Sequence, residues 1–138
     1  MILLDTNIVL DAHARRSPFR ASSSALIADA VVTVGAGVNA ITLAELCTGQ
    51  THPEILEAEL RAEGLRILDL PAGAAAICGR AYRHYRLARK KSRGGLAPAV
   101  PLPDFFIGAH AEFMGWKLAT RDTERYRLYF PHVELIEP

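Results

Sequence analysis

The feature that most constrains this chain is its opening, Met1-Ile2-Leu3-Leu4-Asp5, a short apolar run stopped abruptly by an acid. Ile2-Leu3-Leu4 offers no polar face, so it describes a strand buried on both sides; a half-exposed strand would alternate. Related runs recur downstream. Val31 to Ile41 is rich in β-branched residues but is broken by Gly35 and Gly37, which predicts a strand whose register stays open. Arg66-Ile67-Leu68-Asp69-Leu70, Lys117 to Thr120 and Val133 to Ile136 predict three more.

Helical signals lie between these runs. Ser17 as N-cap with Pro18 at the first helical position opens a helix through Ala30. Thr42 caps a helix carrying Glu45 in its first turn, and Pro53 starts another that stops near Gly64. Pro71-Ala72 leads into a long helix whose Ala74, Ile77, Cys78, Ala81, Tyr85 and Ala88 keep the i, i+3, i+4 rhythm. Ser92 to Pro103 is rich in Gly and Pro and reads as a loop; Asp104 to Met114 is helical and ends at Gly115. Strands alternating with helices predict an α/β chain, a three-layer α/β/α sandwich around a parallel sheet of four or five strands.

A length of 138 residues suits one domain spanning 1–138, and a 50% hydrophobic composition supplies its core. Cys47 and Cys78 are far apart and lack metal-type spacing, so they read as small buried hydrophobes in a reducing compartment. The opening carries no charged leader and no apolar segment is long enough to span a membrane, so the expected location is the cytoplasm. The net charge of +1 decides nothing, but its distribution does. Arg80, Arg83, Arg86, Arg89, Lys90, Lys91 and Arg93 form a basic stretch without one acid, while Glu54, Glu57, Glu59 and Glu63 form a separate acidic one.

Ligands of open parallel sheets bind beyond the carboxyl ends of the strands. Asp5 follows the first strand directly, Asp122 stands just past the Lys117–Thr120 strand, and Glu45 follows the second strand. Asp104 opens a helix, so its placement depends on the preceding loop. Acids collected at one rim repel one another, and a hard cation resolves that repulsion. No Cys/His set exists to favour zinc. Each acid also has a structural reading. Asp104 after Pro103 makes a good N-cap, Asp122 could cap a turn over Thr123–Tyr126, and Thr42-x-x-Glu45 has the form of a capping box. Thr6, Asn7 and Thr120 are placed to hydrogen-bond these carboxylates or to satisfy loop backbone. Asp11 reads as solvated helix surface. His13, His52, His84, His110 and His132 are scattered, and none pairs with a nucleophile.

With these residues in view, the sequence resembles the PIN-domain ribonucleases, and among them the VapC-type toxins of toxin–antitoxin systems. Ile2-Leu3-Leu4-Asp5-Thr6-Asn7 matches an opening of apolar residues followed by Asp-Thr-Asn. Ile41 to Leu46 matches a second motif, Pro103 to Ala111 a third, and Thr120-Arg121-Asp122 with Tyr126 a fourth. The resemblance spans essentially the whole chain, with the motifs in order. It implies Mg²⁺ or Mn²⁺ held by Asp5 and Asp104, with Glu45 and Asp122 completing an acidic pocket. It also implies an RNA substrate, a cognate antitoxin and a homodimer. One departure bears on a second ion: Pro101-Leu102-Pro103 supplies no acid where many relatives carry one.

The expected chemistry is hydrolysis of RNA phosphodiesters leaving 5′-phosphate and 3′-hydroxyl ends. Asp5 and Asp104 hold the main ion, Glu45 orients or deprotonates the attacking water, and Asp122 helps recruit a second ion. Two such ions about 4 Å apart stabilise both attacking and leaving oxygens. The basic stretch is the expected RNA grip, with Tyr82 available to stack on a base; the competing reading is a solvated helix face. Two rival functions remain. A phosphatase using Asp5 as nucleophile needs an acid two residues later, where Asn7 stands. A catalytically silent PIN-like module would bind RNA or protein without cutting.

Overall fold

Ile2–Leu4 (β1) is buried along its whole length, and the computed structural model, which describes residues 1–92 and 95–138, puts it at the centre of the sheet. The other strands are β2 (Ala36–Asn39), β3 (Arg66–Leu68), β4 (Lys117–Ala119) and β5 (Leu135–Ile136). Their order is β3-β2-β1-β4-β5, and every pair is parallel. The expected five-strand limit of the sheet is therefore met. Register brings Leu3 beside Gly37 on one flank and Leu4 beside Ala119 on the other.

Successive residues of a strand point to opposite faces, so β1 divides its side chains between two cores. Ile2 and Leu4 pack with Ile8, Ile27, Val38, Leu46 and Leu60. Leu3 faces the other way, toward Cys78, Tyr82, Phe105, Leu118, Tyr126 and Phe130. The first face is covered by α1 (Thr6–His13), α2 (Arg20–Thr33), α3 (Ala40–Cys47) and α4 (Pro53–Ala62). The second is covered by α5 (Ala74–Lys91), α6 (Pro103–Met114) and α7 (Thr123–Tyr129). This is the three-layer sandwich that the alternation of elements predicts. No helix among the described residues is long and apolar enough to cross a membrane.

Several boundaries differ from expectation, each for a local reason. Ser17 is not the N-cap of α2: its hydroxyl accepts the Phe19 amide at 3.2 Å and donates to Asp11 at 2.6 Å, and the helix begins later, at Arg20, with Phe19 in the cap position. Helix α2 then runs on through Thr33, so Val31–Thr33 are helical rather than strand. Gly35, at φ +82°, makes the turn into β2 while its amide bonds the Ala30 carbonyl at 2.7 Å. Helix α3 starts at Ala40 because Asn39, not Thr42, caps it: Asn39 Oδ1 accepts the Ile41 and Thr42 amides at 3.0 Å each. The Thr42–Glu45 capping box is thus not formed, and Glu45 falls in the second turn. Helix α6 is capped at Leu102, so Asp104 lies inside its first turn and is not the N-cap. Helix α1, directly after Asp5, carries Asp11, which the sequence places on a helix without giving its bounds.

Candidate metal centre

Parallel register explains how residues remote in sequence meet. Leu4 pairs with Ala119, so the next residue on each strand, Asp5 and Thr120, emerge side by side at the carboxyl end of the sheet. The Asp5 amide bonds the Ala119 carbonyl at 2.9 Å and fixes this junction. Asp5 is only 4% exposed yet carries an acid, and three donors hold it. The Thr6 amide donates to Oδ1 at 2.8 Å; Asn7 Nδ2 and Thr120 Oγ1 donate to Oδ2 at 2.8 and 2.7 Å. Burial raises the Asp5 pKa above the usual carboxylate value; the bonds from Thr120, Thr6 and Asn7 oppose that rise, and the charge of Glu45 adds to it.

Glu45 reaches the same rim from α3. Thr6 Oγ1 donates to Glu45 Oε2 at 2.5 Å, so Thr6 touches Asp5 through its backbone and Glu45 through its side chain. Asn7 is held in turn by the Arg121 amide, which donates to Asn7 Oδ1 at 3.1 Å. Thr120 Oγ1 also accepts the Asp122 amide at 3.1 Å. Thr6, Asn7 and Thr120 all contact the acids or their backbone, and the Asp5 carboxylate is therefore fixed in position.

The other two acids form a second pair around a cation that the sequence did not single out. Arg125 of α7 forms an ion pair with Asp104 of α6, and its Nη1 stands 4.0 Å from Asp122 Oδ2. Asp122 precedes α7 but makes no side-chain cap, so its expected capping role is not formed. The four acids are thus arranged as Asp5 with Glu45 and Asp104 with Asp122. Among the described residues, no three His, Cys, Asp or Glu side chains stand close enough together to hold a metal ion. The oxygen-only donors nonetheless suit a hard divalent cation, and one Asp5 oxygen accepts a single bond, leaving a lone pair.

Tyr126 follows Arg125 on α7. Its ring is fully buried and its hydroxyl has no hydrogen-bond partner among the described residues. Burial pushes the phenol pKa well above its ordinary value, and the charges of Asp5, Asp122 and Glu45 push it further, against the pull of Arg125. An orphaned buried hydroxyl costs about 1–3 kcal/mol.

Arg121 organises the scaffold behind the site. Its Nε donates to Asp11 Oδ2 at 2.6 Å, Nη2 reaches Ser23 Oγ at 2.8 Å, and its guanidinium lies 3.8 Å from the centre of the Phe19 ring. Asp11 is therefore not solvated surface: the hydrogen bond from the Ser17 hydroxyl lowers its pKa most, burial opposes it, and the hydrogen bond and charge of Arg121 lower it further. The sequence does not reveal the main partners of Arg121 and Arg125, Asp11 and Asp104, because they lie far away along the chain.

The basic stretch lies on α5. Arg80, Arg83, Arg86, Lys90 and Lys91 are exposed, Arg89 is half-buried with Nη1 on the Tyr85 hydroxyl at 2.9 Å, and Arg93 lies outside the described residues. Arg83, Arg86 and Lys90 share one wall of a groove of about 720 Å³, opposite Leu96, Ala97 and Pro101. Arg80 does not line it. Tyr82 is not available to stack on a base: it is 3% exposed, donates to the Pro98 carbonyl at 2.8 Å and meets Phe105 edge-on. A second groove, between α1 and α4, is lined by Val9, Leu10, Leu56 and Leu60 with His13, Glu59 and Glu63.

Comparison with known proteins follows the same outline. The chain is similar in structure to a chain of FitAcB from Neisseria gonorrhoeae (26% identity, TM-score 0.65, covering 100% of this chain and 98% of that one). DNA-bound VapBC from Salmonella typhimurium gives 24% identity and TM-score 0.66 over 98% and 96% of the two chains. VapBC-1 from nontypeable Haemophilus influenzae gives 22% identity and TM-score 0.67 over 99% and 98%. No curated protein sequence matches. The PIN domain family matches residues 2–131, nearly the whole length, and this chain belongs to that family.

Proposed function

We propose that this chain is a divalent-metal-dependent endoribonuclease and the toxin half of a toxin–antitoxin pair. The observation that carries the reading is Asp5: an acid 4% exposed, gripped by three donors at the carboxyl end of the central strand and linked through Thr6 to Glu45. Folding alone gives little reason to bury a second carboxylate's neighbour in this way. PIN domains are typically nucleases that use divalent metals, and the solved chains similar to this one come from VapBC and FitAB complexes. The partners proposed are an RNA substrate, a cognate antitoxin and a second copy of the chain.

Asp5 and Asp104 would hold Mg²⁺ or Mn²⁺, with Glu45 and Asp122 completing the oxygen set. When bound, such an ion supplies Lewis-acid charge at the phosphodiester and makes water easier to deprotonate. Asp5 contributes a fixed carboxylate, because its three donors leave it no freedom to swing. Glu45, oriented by the Thr6 hydroxyl, accepts the proton of the attacking water. Arg125 offsets part of the charge of Asp104 and Asp122, and Asp104 would exchange that partner to hold an ion. The exposed cations of α5 draw the RNA backbone toward the groove without choosing a sequence.

The silent-module alternative draws on one observation, the Arg125–Asp104 ion pair, which sets a protein cation where a metal ligand is needed. The two readings part in a single assay. Purified protein should cleave RNA with Mg²⁺ or Mn²⁺, lose activity in EDTA and regain it on metal replacement. Asp104→Asn should abolish cleavage while circular dichroism shows an intact fold. RNA binding without cleavage in any divalent metal would establish the silent module; cleavage by Asp104→Asn at the native rate would remove Asp104 from the site.

A further inference from the structure

The groove between α1 and α4, about 620 Å³, is bridged by a contact that the nuclease reading does not use. Helix α1 packs on α2 and α3, and α4 on α3 and β3, so the two walls share little direct packing. His13, the last residue of α1, reaches across to Glu63, the residue that caps the end of α4. Its Nε2 stands 2.9 and 3.1 Å from the two Glu63 carboxylate oxygens. Its Nδ1 stands 2.8 Å from the Val9 carbonyl, one turn back on α1. Both ring nitrogens therefore face acceptors. A neutral imidazole carries one N–H, so it satisfies one of these contacts and turns a lone pair toward the other. Only the imidazolium donates to both. The negative end of the α1 dipole, where His13 sits, also favours the charged ring.

We infer that His13 and Glu63 form a proton-controlled clasp on this groove: the imidazolium ties α1 to α4, and loss of its proton releases the end of α4. The clasp does not depend on the metal-dependent reading. Among the described residues, the charges acting on His13 are those of Glu63 and Glu59, both from the α4 side. Other nearby polar groups are engaged elsewhere. Asp11 of α1 is held by Ser17 and Arg121, and Glu45 of α3 by Thr6. From α2, Ser24 donates to the Ala12 carbonyl at 3.4 Å. Burial lowers the His13 pKa, but the hydrogen bonds to Glu63 and Val9 and the charges of Glu63 and Glu59 outweigh it, so the net shift is upward. A raised folded pKa means that the bridge stabilises fully below the ordinary histidine value and is lost as pH rises through the raised one. Above that point the wall carrying Leu56 and Leu60 is no longer pinned to the wall carrying Val9 and Leu10.

Two measurements on the full chain test this. The first is a titration of ¹⁵N-labelled histidine by nuclear magnetic resonance. Both ring nitrogens of His13 should carry protons at acid pH, with a midpoint above the ordinary histidine value of about 6.5. Glu63→Gln, which keeps the shape and deletes the charge, should lower that midpoint. A His13 midpoint at or below the ordinary value, or one that Glu63→Gln leaves in place, overturns the clasp. The second reads the movement itself, as protection of the α4 amides from hydrogen exchange, corrected for the base-catalysed intrinsic rate. Wild-type protection should fall severalfold as pH rises through the His13 midpoint. In His13→Ala it should be low throughout and show no step at that midpoint. Wild-type protection that ignores the midpoint refutes the proposal, and a step that survives in His13→Ala assigns the change to another group and refutes it equally.

Discussion

Thr120→Val offers the sharpest test of how the site is held, because valine matches threonine in shape and removes only the hydroxyl. That hydroxyl is fully buried, donates to Asp5 Oδ2 at 2.7 Å and accepts the Asp122 amide at 3.1 Å. A hydrogen bond to a charged group contributes about 1.5–3 kcal/mol, and the half-exposed Asp122 segment finds water in exchange, so the expected loss is roughly 2–3 kcal/mol. For a chain of this length 1 kcal/mol moves the melting temperature by about 3 °C, giving a fall of roughly 6–9 °C at neutral pH. The pH dependence carries the mechanism. Asp5 already has a raised folded pKa, so the native state holds its proton more tightly than the unfolded chain and stability falls as pH rises through that pKa. The Thr120 bond limits the rise. Without it the folded pKa climbs further, and the gap between variant and wild type should widen from pH 4 to pH 7. Thermal unfolding followed by circular dichroism in metal-free buffer measures both quantities, with Thr120→Ser as the control that keeps the hydroxyl. A Thr120→Val protein as stable as wild type at pH 7, or a gap of equal size at both pH values, would refute the reasoning.

Two other expectations concern charge. Arg125→Ala frees Asp104 and Asp122 from a partly exposed ion pair, so Mn²⁺ should bind up to about fivefold more tightly; unchanged or weaker binding in calorimetry would show that Arg125 does not compete with the ion. Arg83→Ala with Lys90→Ala, two cations from one wall of the α5 groove, should weaken binding to all RNAs alike and reduce the salt slope by roughly 0.7 per lost single-strand contact. An unchanged slope with altered particle mass would instead assign this helix face to protein assembly.

The outline of the fold was readable from residues whose reasons are local. Ile2-Leu3-Leu4 has no polar face, Pro53 starts α4, and Gly115 ends α6 in the left-handed conformation at φ +63°. What misled the reading was competition between equally good local signals. Asn39 and Thr42 can each cap a helix, and the choice fell to Asn39 because it ends β2 and has its side chain buried where two amides converge. Asp104 follows Pro103 and looks like a cap, but the proline already occupies the helix start, leaving the carboxylate free to meet Arg125. Tyr82 looks like a stacking aromatic until the 95–101 segment folds over it. The partners that these side chains finally meet, Arg125 for Asp104 and Pro98 for Tyr82, lie too far along the chain for a local reading to supply.

The stretch from Thr120 to Tyr126 shows how one strand-to-helix turn can serve both scaffold and site. Thr120 continues β4 and so must stand beside Asp5, the residue that continues β1. Arg121 points away from the acids, into Asp11, Ser23 and Phe19, and its amide steadies Asn7, which steadies Asp5. Arg125, four residues on, is one turn along α7 and returns to the acidic side, where it bridges Asp104 and Asp122. The two arginines therefore differ in what they can yield. Arg121 is spread over several partners with its side chain only 17% exposed, and displacing it would dismantle the junction of α1 and α2. Arg125 is more exposed, at 32%, and among the described residues its ion pairs are with Asp104 and Asp122, the carboxylates proposed to take a cation. If Asp104 and Asp122 take up a cation as proposed, the exchange would cost the protein the second arginine's contacts and leave the first untouched, so the acids could regroup without loosening the turn that positions them.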